Sequence, residues 1–196
     1  INSLTLRAAW PMPVLEIVLQ YVQGCRYFAT FDLFKGFWQF PLHEDSQEYF
    51  SFATDSGVFT PTRVMQGSAD GVAACQSAMQ QVLGDLLYNG CLLWLDDVLI
   101  YAKTEAELVS LVAKFLARVA EYGVKLNPAK CDLFLTEVKW CGKLISYDGV
   151  RHDPARIEAL RSLSYPVHAG QLQEFLMAMN WMRTNLPDYS RTGDKL

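Results

Sequence analysis

No uninterrupted apolar run in this 196-residue sequence approaches the ~18 residues of a membrane-spanning helix. Cysteine is sparse and unpaired in pattern: Cys25, Cys75, Cys91, Cys131 and Cys141 are odd in number and show no CxxC spacing. That argues against a disulfide framework and a zinc site, and points to a reducing compartment, cytoplasmic or nuclear. Histidine is rarer still, and His43, His152 and His168 are too scattered to form a ligand set. The opening INSLTLRAAW has neither an initiator Met nor the apolar core of a secretion signal, so the chain is expected to be cut from a longer one. Basic excess is also lacking. The net charge is -4, and residues 1–102 carry four Lys/Arg against ten Asp/Glu, while 103–196 carry thirteen against eleven. Charge alone therefore argues against a nucleic-acid-binding surface.

What is present is a core. Hydrophobic residues make up 51% and charged residues 19%, the balance of a globular chain with one substantial core or a core plus a small appended unit. Its most informative stretch is CLLWLDDVLIYA, Cys91 to Ala102: two strand-like apolar runs around Asp96-Asp97. The pair is expected to form the turn of a tight hairpin, although such turns favour Gly and none is here. Asp-Asp serves as ordinary turn chemistry in many loops. Two carboxylates ~4 Å apart nevertheless repel by about 4 kcal/mol at an effective dielectric near 20, a cost usually offset by a cation or a raised pKa.

Along the chain, Val14 to Val22 reads as a helix ended by Gly24, and Arg26 to Leu33 as a strand with Asp32 near its end. Glu48 to Thr54 and Val58 to Val64 read as a hairpin turned at Asp55-Ser56-Gly57. Ala69 to Leu87 is expected to be helical, with Val72, Cys75, Met79, Val82, Leu83 and Leu86 on one apolar face. Thr104 and Glu107 fit a capping box opening a helix with Leu108, Leu111, Val112, Phe115 and Val119 inward and Gly123 at its C-terminal cap. Val124 to Leu126 and Asp132 to Phe134 are short strand candidates. Val138 to Ser146 and Gly149 to Arg151 read as a hairpin turned at Tyr147-Asp148. Asp153-Pro154 opens a helix with Ile157, Leu160 and Leu163 inward, and Gln171 to Thr184 is another, with Leu172, Phe175, Leu176, Met179 and Met182 on one side. Strands dominate to Gly149 and helices after it, so the fold class is α+β with a boundary near Gly149.

Three aspartates thus stand at strand ends, Asp32 and the pair Asp96-Asp97. If their strands are neighbours the carboxylates converge, and hard oxygen ligands of that number suit Mg²⁺ or Mn²⁺. Such a metal pair serves phosphoryl transfer.

The order FATFDLFKGFWQF, VMQG, WLDDVLIYAKT, GVKLNPAKC and VKWCGKLIS resembles the palm of Ty3/gypsy-type retrotransposon reverse transcriptases, and GVRHDPARIEALRSLSYPVHAGQLQEFLMAMNWMR resembles the region that opens their thumb. The resemblance implies a polymerase palm, an antiparallel sheet backed by helices, with a small helical thumb-like C-terminal segment. It implies a fingers remnant over 1–24, the palm over 25–148 with a fingers-like hairpin at 43–62, and the start of the thumb or connection over 149–196. It also implies RNA-directed DNA polymerase activity, two Mg²⁺ or Mn²⁺ ions, and a dNTP and an RNA/DNA template-primer as partners, with ribonuclease H and integrase domains in the same polyprotein. Asp32, Asp96 and Asp97 take the place of the metal-binding catalytic aspartates. Leu33 and Phe34 offer backbone amides to the triphosphate, Phe37 excludes a ribose 2′-hydroxyl, and Gln66-Gly67 lies against the nucleotide and template. Lys130 protonates the departing pyrophosphate, and Trp140-Cys141-Gly142 forms the primer grip. For Asp32, Phe37, Lys130 and Trp140 a purely structural role (turn cap, core packing, solvated lysine, buried hairpin Trp) stands beside the implied one. Two departures stand out: Met65 precedes Gln66 where Pro is common, and SADGVAAC replaces the usual Pro-containing segment. The basic fingers strands that normally precede this region are not in the sequence, so positive charge facing the carboxylates is expected to be short. A truncated or co-opted domain acting as a binding or structural module is the second reading.

Overall fold

The computed structural model describes residues 1–6, 10–180, 182–183 and 186–193. Contacts divide the chain into two compact units, Ile1–Arg151 and His152–Leu196.

The first unit opens with α1 (Leu15–Val18), a single turn that continues as a 3-10 turn over Leu19–Val22. After it come β1 (Tyr27–Asp32), a 3-10 turn at Gly36–Gln39, α2 (Glu44–Gln47), and the hairpin β2 (Phe52–Thr54) and β3 (Gly57–Phe59). Next are α3 (Gly71–Leu83), β4 (Cys91–Trp94), β5 (Asp97–Ala102) and α4 (Glu105–Glu121). The unit continues with β6 (Asp132–Leu135), β7 (Glu137–Trp140) and β8 (Lys143–Ser146), and ends within β9 (Gly149–His152), whose last residue opens the second unit.

Four strands form the central antiparallel sheet in the order β4-β5-β1-β6. Both faces are covered, so its strands read as continuous apolar runs. Side chains alternate across a strand, and the core splits accordingly. Ala29, Phe31, Cys91, Leu93, Val98 and Ile100 pack with Met79 and Leu83 of α3 and Leu108 and Phe115 of α4. On the opposite face Phe28, Leu92, Leu99 and Tyr101 pack with Val18 and Val22 near the N-terminus and with Val138, Trp140 and Ile145 of β7 and β8. Burying a large apolar side chain stabilises by about 1.5–3 kcal/mol, and both clusters lie wholly between Val18 and Ile145.

Several expected elements are shorter or broken. Glu48–Phe50 is a 3-10 turn, not strand, and β3 ends at Phe59. Pro61 explains the second difference, because it cannot donate to a ladder; the chain instead rejoins through a single bridge between Pro41 and Arg63. Of Val124 to Leu126 only Leu126 pairs, as an isolated bridge to Leu33. The expected helix to Leu87 stops at Leu83 and tightens into a 3-10 turn through Leu86, and Val72 is exposed rather than inward. The expected strand Val138 to Ser146 is two strands, since Cys141 and Gly142 adopt φ of 48° and 71° and reverse the chain. With β9 they make a three-stranded sheet.

The second unit contains α5 (Pro154–Arg161), capped by the Asp153 carboxylate accepting from the Ala155 amide at 3.0 Å, then α6 (Ala169–Asn180) and α7 (Tyr189–Gly193). No side chain of α5 or α6 is fully buried, and Leu163, expected inward, lies beyond the helix end and is exposed. The expected continuation of α6 to Thr184 falls partly outside the described residues. No described helix is long and apolar enough to cross a membrane.

Candidate active site

The hairpin of β4 and β5 pairs Trp94 with Asp97, so its two-residue turn is Leu95-Asp96, not Asp96-Asp97. Asp97 is the first residue of β5, and its backbone partner on β1 is Asp32. Strand alternation places Asp32 on the face of Phe28, and Asp97 on that of Leu99 and Tyr101. The two carboxylates therefore form a cross-strand pair on one face, with Asp96 in the adjoining turn. Like charges directly opposite are destabilising, and the effect is visible at Asp97. Its pKa is raised by burial, then by the charges of Asp96 and Asp32, with Lys130 opposing.

Beyond Asp32 the chain turns sharply under Asp96. Lys35 and Gly36 have φ of 56° and 36°, and a Cβ at Gly36 would stand 3.4 Å from Asp96 Oδ2. That is an ordinary van der Waals distance, so what position 36 asks of glycine is its left-handed φ. The loop is clipped to residues 125–127: the Phe34 amide donates to the Lys125 carbonyl at 2.9 Å and the Asn127 amide to the Asp32 carbonyl at 2.9 Å. Gln39 completes the clip. Its Nε2 donates to the carbonyls of Phe34 (2.7 Å) and Lys125 (2.8 Å), and its Oε1 accepts from the Lys125 amide (2.6 Å). The 3-10 turn just beyond, Pro128–Lys130, brings Lys130 Nζ to 3.3 Å from Asp32 Oδ2.

A cleft of about 390 Å³ results, lined by Asp32, Leu33, Phe34, Phe37, Gln66, Asp96 and Lys130 among the expected residues, and by Lys35, Gly36, Trp38 and Asn127 in addition. Gly67 and Asp97 lie outside its lining. The carbonyl of Gly67 instead accepts from Asn2 Nδ2 at 2.9 Å, and the Ala69 amide donates to Asn2 Oδ1 at 2.9 Å. Trp140 is buried, and its indole nitrogen has no hydrogen-bond partner among the described residues. Cys141 packs against the same core cluster as Trp94, the residue before the acidic turn, and its thiol is pushed up by burial and then by Asp97 and Asp96. Two lysines, Lys35 and Lys130, line the cleft, and Lys130 is paired with Asp32. Lys35 and Asn127, which line the cleft, and Gln39, which clips its loop, are residues that the sequence motifs did not single out. The polar Gln39 inside GFWQF was the available signal, but nothing local to it reveals a partner at Lys125.

Among the described residues no three His, Cys, Asp or Glu side chains are gathered closely enough to hold a metal ion as they stand. The backbone brings the three aspartates together, yet Asp32 turns to Lys130. The donor set, three carboxylates of which Asp97 is raised by burial and then by its two acidic neighbours, nonetheless fits a hard divalent cation once the side chains rotate inward.

Residues 7–145 match the family model described as reverse transcriptase (RNA-dependent DNA polymerase). The antiparallel sheet is thus that of a polymerase palm, and the chain belongs to the reverse transcriptase family. Over 190 residues it is 28% identical to the retrovirus-related Pol polyprotein from transposon 297 of Drosophila melanogaster, a match that covers 97% of this chain and 18% of that protein. It is 26% identical to the transposon Tf2-3 polyprotein of Schizosaccharomyces pombe, over 93% of this chain and 14% of that one. The chain therefore spans less than a fifth of these relatives. Its fold is similar to that of a foamy viral protease-reverse transcriptase in complex with double-stranded DNA, with a TM-score of 0.88 and 23% identity over 97% of this chain and 33% of that one. It also resembles the foamy viral protease-reverse transcriptase in complex with an RNA/DNA hybrid, with a TM-score of 0.83 and 22% identity over 93% and 25%.

Proposed function

We propose that this chain is the polymerase core of a retrotransposon Pol polyprotein and acts as an RNA-directed DNA polymerase, with residues 25–148 as palm, 1–24 as a remnant of the fingers and 149–196 as the start of the thumb. One observation carries the reading: Asp32 and Asp97 are register partners across β1 and β5, Asp96 sits in the adjoining turn, and a cleft opens beside them. Asp32, Asp96 and Asp97 would hold two Mg²⁺ or Mn²⁺ ions. Ions held there would supply charge neutralisation of the triphosphate and lower the pKa of the primer 3′-hydroxyl that is to attack the α-phosphate of a dNTP.

The chain's own residues do the positioning. The Leu33 amide lies in the loop clipped by Gln39 at the cleft and is the one left to meet a phosphate, whereas the Phe34 amide, expected to do the same, is already donated to the Lys125 carbonyl. Phe37 fills the side where a ribose 2′-hydroxyl would sit, and Gln66 lies against the base and template. Lys35 and Lys130 supply positive charge to the phosphates, and Lys130 is the candidate donor of a proton to the departing pyrophosphate. The Trp140-Cys141-Gly142 turn, close to Asp97, positions the primer end. Template-primer, dNTP, and ribonuclease H and integrase domains of the same polyprotein are the partners.

The test is extension of a DNA primer on an RNA template by the wild-type chain and by Asp96→Asn. Loss of the ligand should slow extension by about 10³-fold, near 4 kcal/mol of barrier, with the melting temperature retained. Equal extension by both proteins sinks the assignment of Asp96; a wild-type chain that binds neither Mn²⁺ nor dNTP is a non-catalytic module instead.

A further inference from the structure

The turn that carries Asp96 is held in a conformation its own residues do not favour. Leu95, the first of its two central residues, has φ of 59°. At that place in a hairpin the left-handed region is normally reserved for Gly, Asn or Asp, because a Cβ crowds the next carbonyl. Something outside the hairpin must stabilise it.

That contact is in α3. Gln76 is completely buried, and its Oε1 accepts a hydrogen bond from the Leu95 amide at 2.9 Å. The acceptor assignment is forced, since the partner is an N–H. The other end of the carboxamide then points Nε2 into the interior, where it finds no partner among the described residues. A buried glutamine with an unsatisfied donor is costly where a leucine would pack without loss. Gln76 thus costs the helix-to-sheet packing more than it gains there, and the bond to Leu95 is what compensates. The same bond sets this part of α3 against the acidic turn, and the neighbouring Cys75 thiol is raised by burial and then by Asp96.

We propose that Gln76 is a positioning residue: its carboxamide oxygen holds Leu95 in the left-handed conformation and thereby aims Asp96 and Asp97 at the metal site. The proposal deepens the polymerase reading and rests on it for the role of the two acids. It makes a statement about strain that a mere packing role does not make. If Gln76 works by holding a strained turn, a glycine at position 95, which takes that φ without strain, makes Gln76 dispensable.

The experiment uses the full chain in four forms: wild type, Gln76→Leu, Leu95→Gly and the double variant. Without metal, the residue-95 amide should exchange with deuterium about tenfold faster in Gln76→Leu, the loss of one hydrogen bond, and the ¹H–¹⁵N resonances of Asp96 and Asp97 should broaden. In the double variant those resonances sharpen again, although the amide still exchanges fast. Mn²⁺ affinity and primer extension should show the same pattern, about tenfold down in Gln76→Leu and restored to within about threefold of Leu95→Gly in the double variant. Unchanged exchange and resonances in Gln76→Leu overturn the proposal. So does a defect that Leu95→Gly fails to relieve, which assigns Gln76 to packing alone. A wild-type chain that binds no Mn²⁺ overturns the polymerase reading instead, and the metal-free resonances still decide the role of Gln76.

Discussion

Asp97 shows how far one side chain reports on its site. Its folded pKa is raised by burial and by Asp96 and Asp32. A carboxyl raised on folding binds its proton more tightly in the native state, so its contribution to stability is present below the unfolded pKa, ~3.9, and is lost as pH rises through the folded value. Ionised Asp97 is therefore a destabilising group at neutral pH. Asp97→Asn should raise thermal stability at pH 7, by on the order of 1 kcal/mol for removing a like-charge contact, and the gain should vanish as pH falls below the unfolded pKa. Melting curves of both proteins between pH 3 and pH 8 check this. The same sign gives metal binding a pH limit: Mn²⁺ affinity should fall as pH drops through the raised Asp97 pKa, while Asp97→Asn, weaker throughout, loses that part of the dependence. At this level the sequence was most informative about the residues that carry charge. Asp32, Asp96 and Lys130 could be picked out because acids ending apolar strands are conspicuous, and the lysine stands in a motif of the same family. Gln39 and Gln76 could not, because a glutamine's role depends on partners distant in the chain, at Lys125 and Leu95.

Among the elements, those with strong local signals formed as expected. α4 is the clearest case. Thr104 Oγ1 accepts from the Glu107 amide at 3.2 Å, and Glu107 reaches back, though to the Lys103 amide at 3.0 Å rather than to that of Thr104. Thr104→Ala should cost about 1 kcal/mol, read as a lowered urea midpoint with unchanged slope. Turns were the weak point, for a physical reason. Leu95 and Cys141 both occupy positive φ, where no rule of local preference would put them. The first displaces the hairpin turn by one residue from its expected place, moving Asp97 from turn to strand. That shift matters, because it is what sets Asp97 opposite Asp32. The second concealed the break between β7 and β8. Tertiary contacts decide both turns: Gln76 for the first, and the packing of Trp140 and Ile145 on the central sheet for the second.

For the whole molecule, both core clusters lie inside Ile1–Arg151, on the two faces of one sheet. The remaining residues form a unit in which α5 and α6 bury no side chain fully. A segment of roughly 45 residues can seldom gather enough apolar surface to offset its conformational entropy. The two parts should therefore behave differently when separated. Residues 1–151 alone should melt cooperatively within about 5 °C of the full chain, a difference worth on the order of 1 kcal/mol for a domain of this size. They should also retain the Mn²⁺ affinity of the full chain, because every cleft residue and all three aspartates belong to this unit. Residues 152–196 alone should give the circular dichroism of a largely unstructured chain and no cooperative transition. Calorimetry and far-ultraviolet spectra of the two fragments decide the matter. A helical, cooperatively melting 152–196 would show that the short helices carry a core of their own, and failure of 1–151 to fold would show that the sheet depends on residues 152–196.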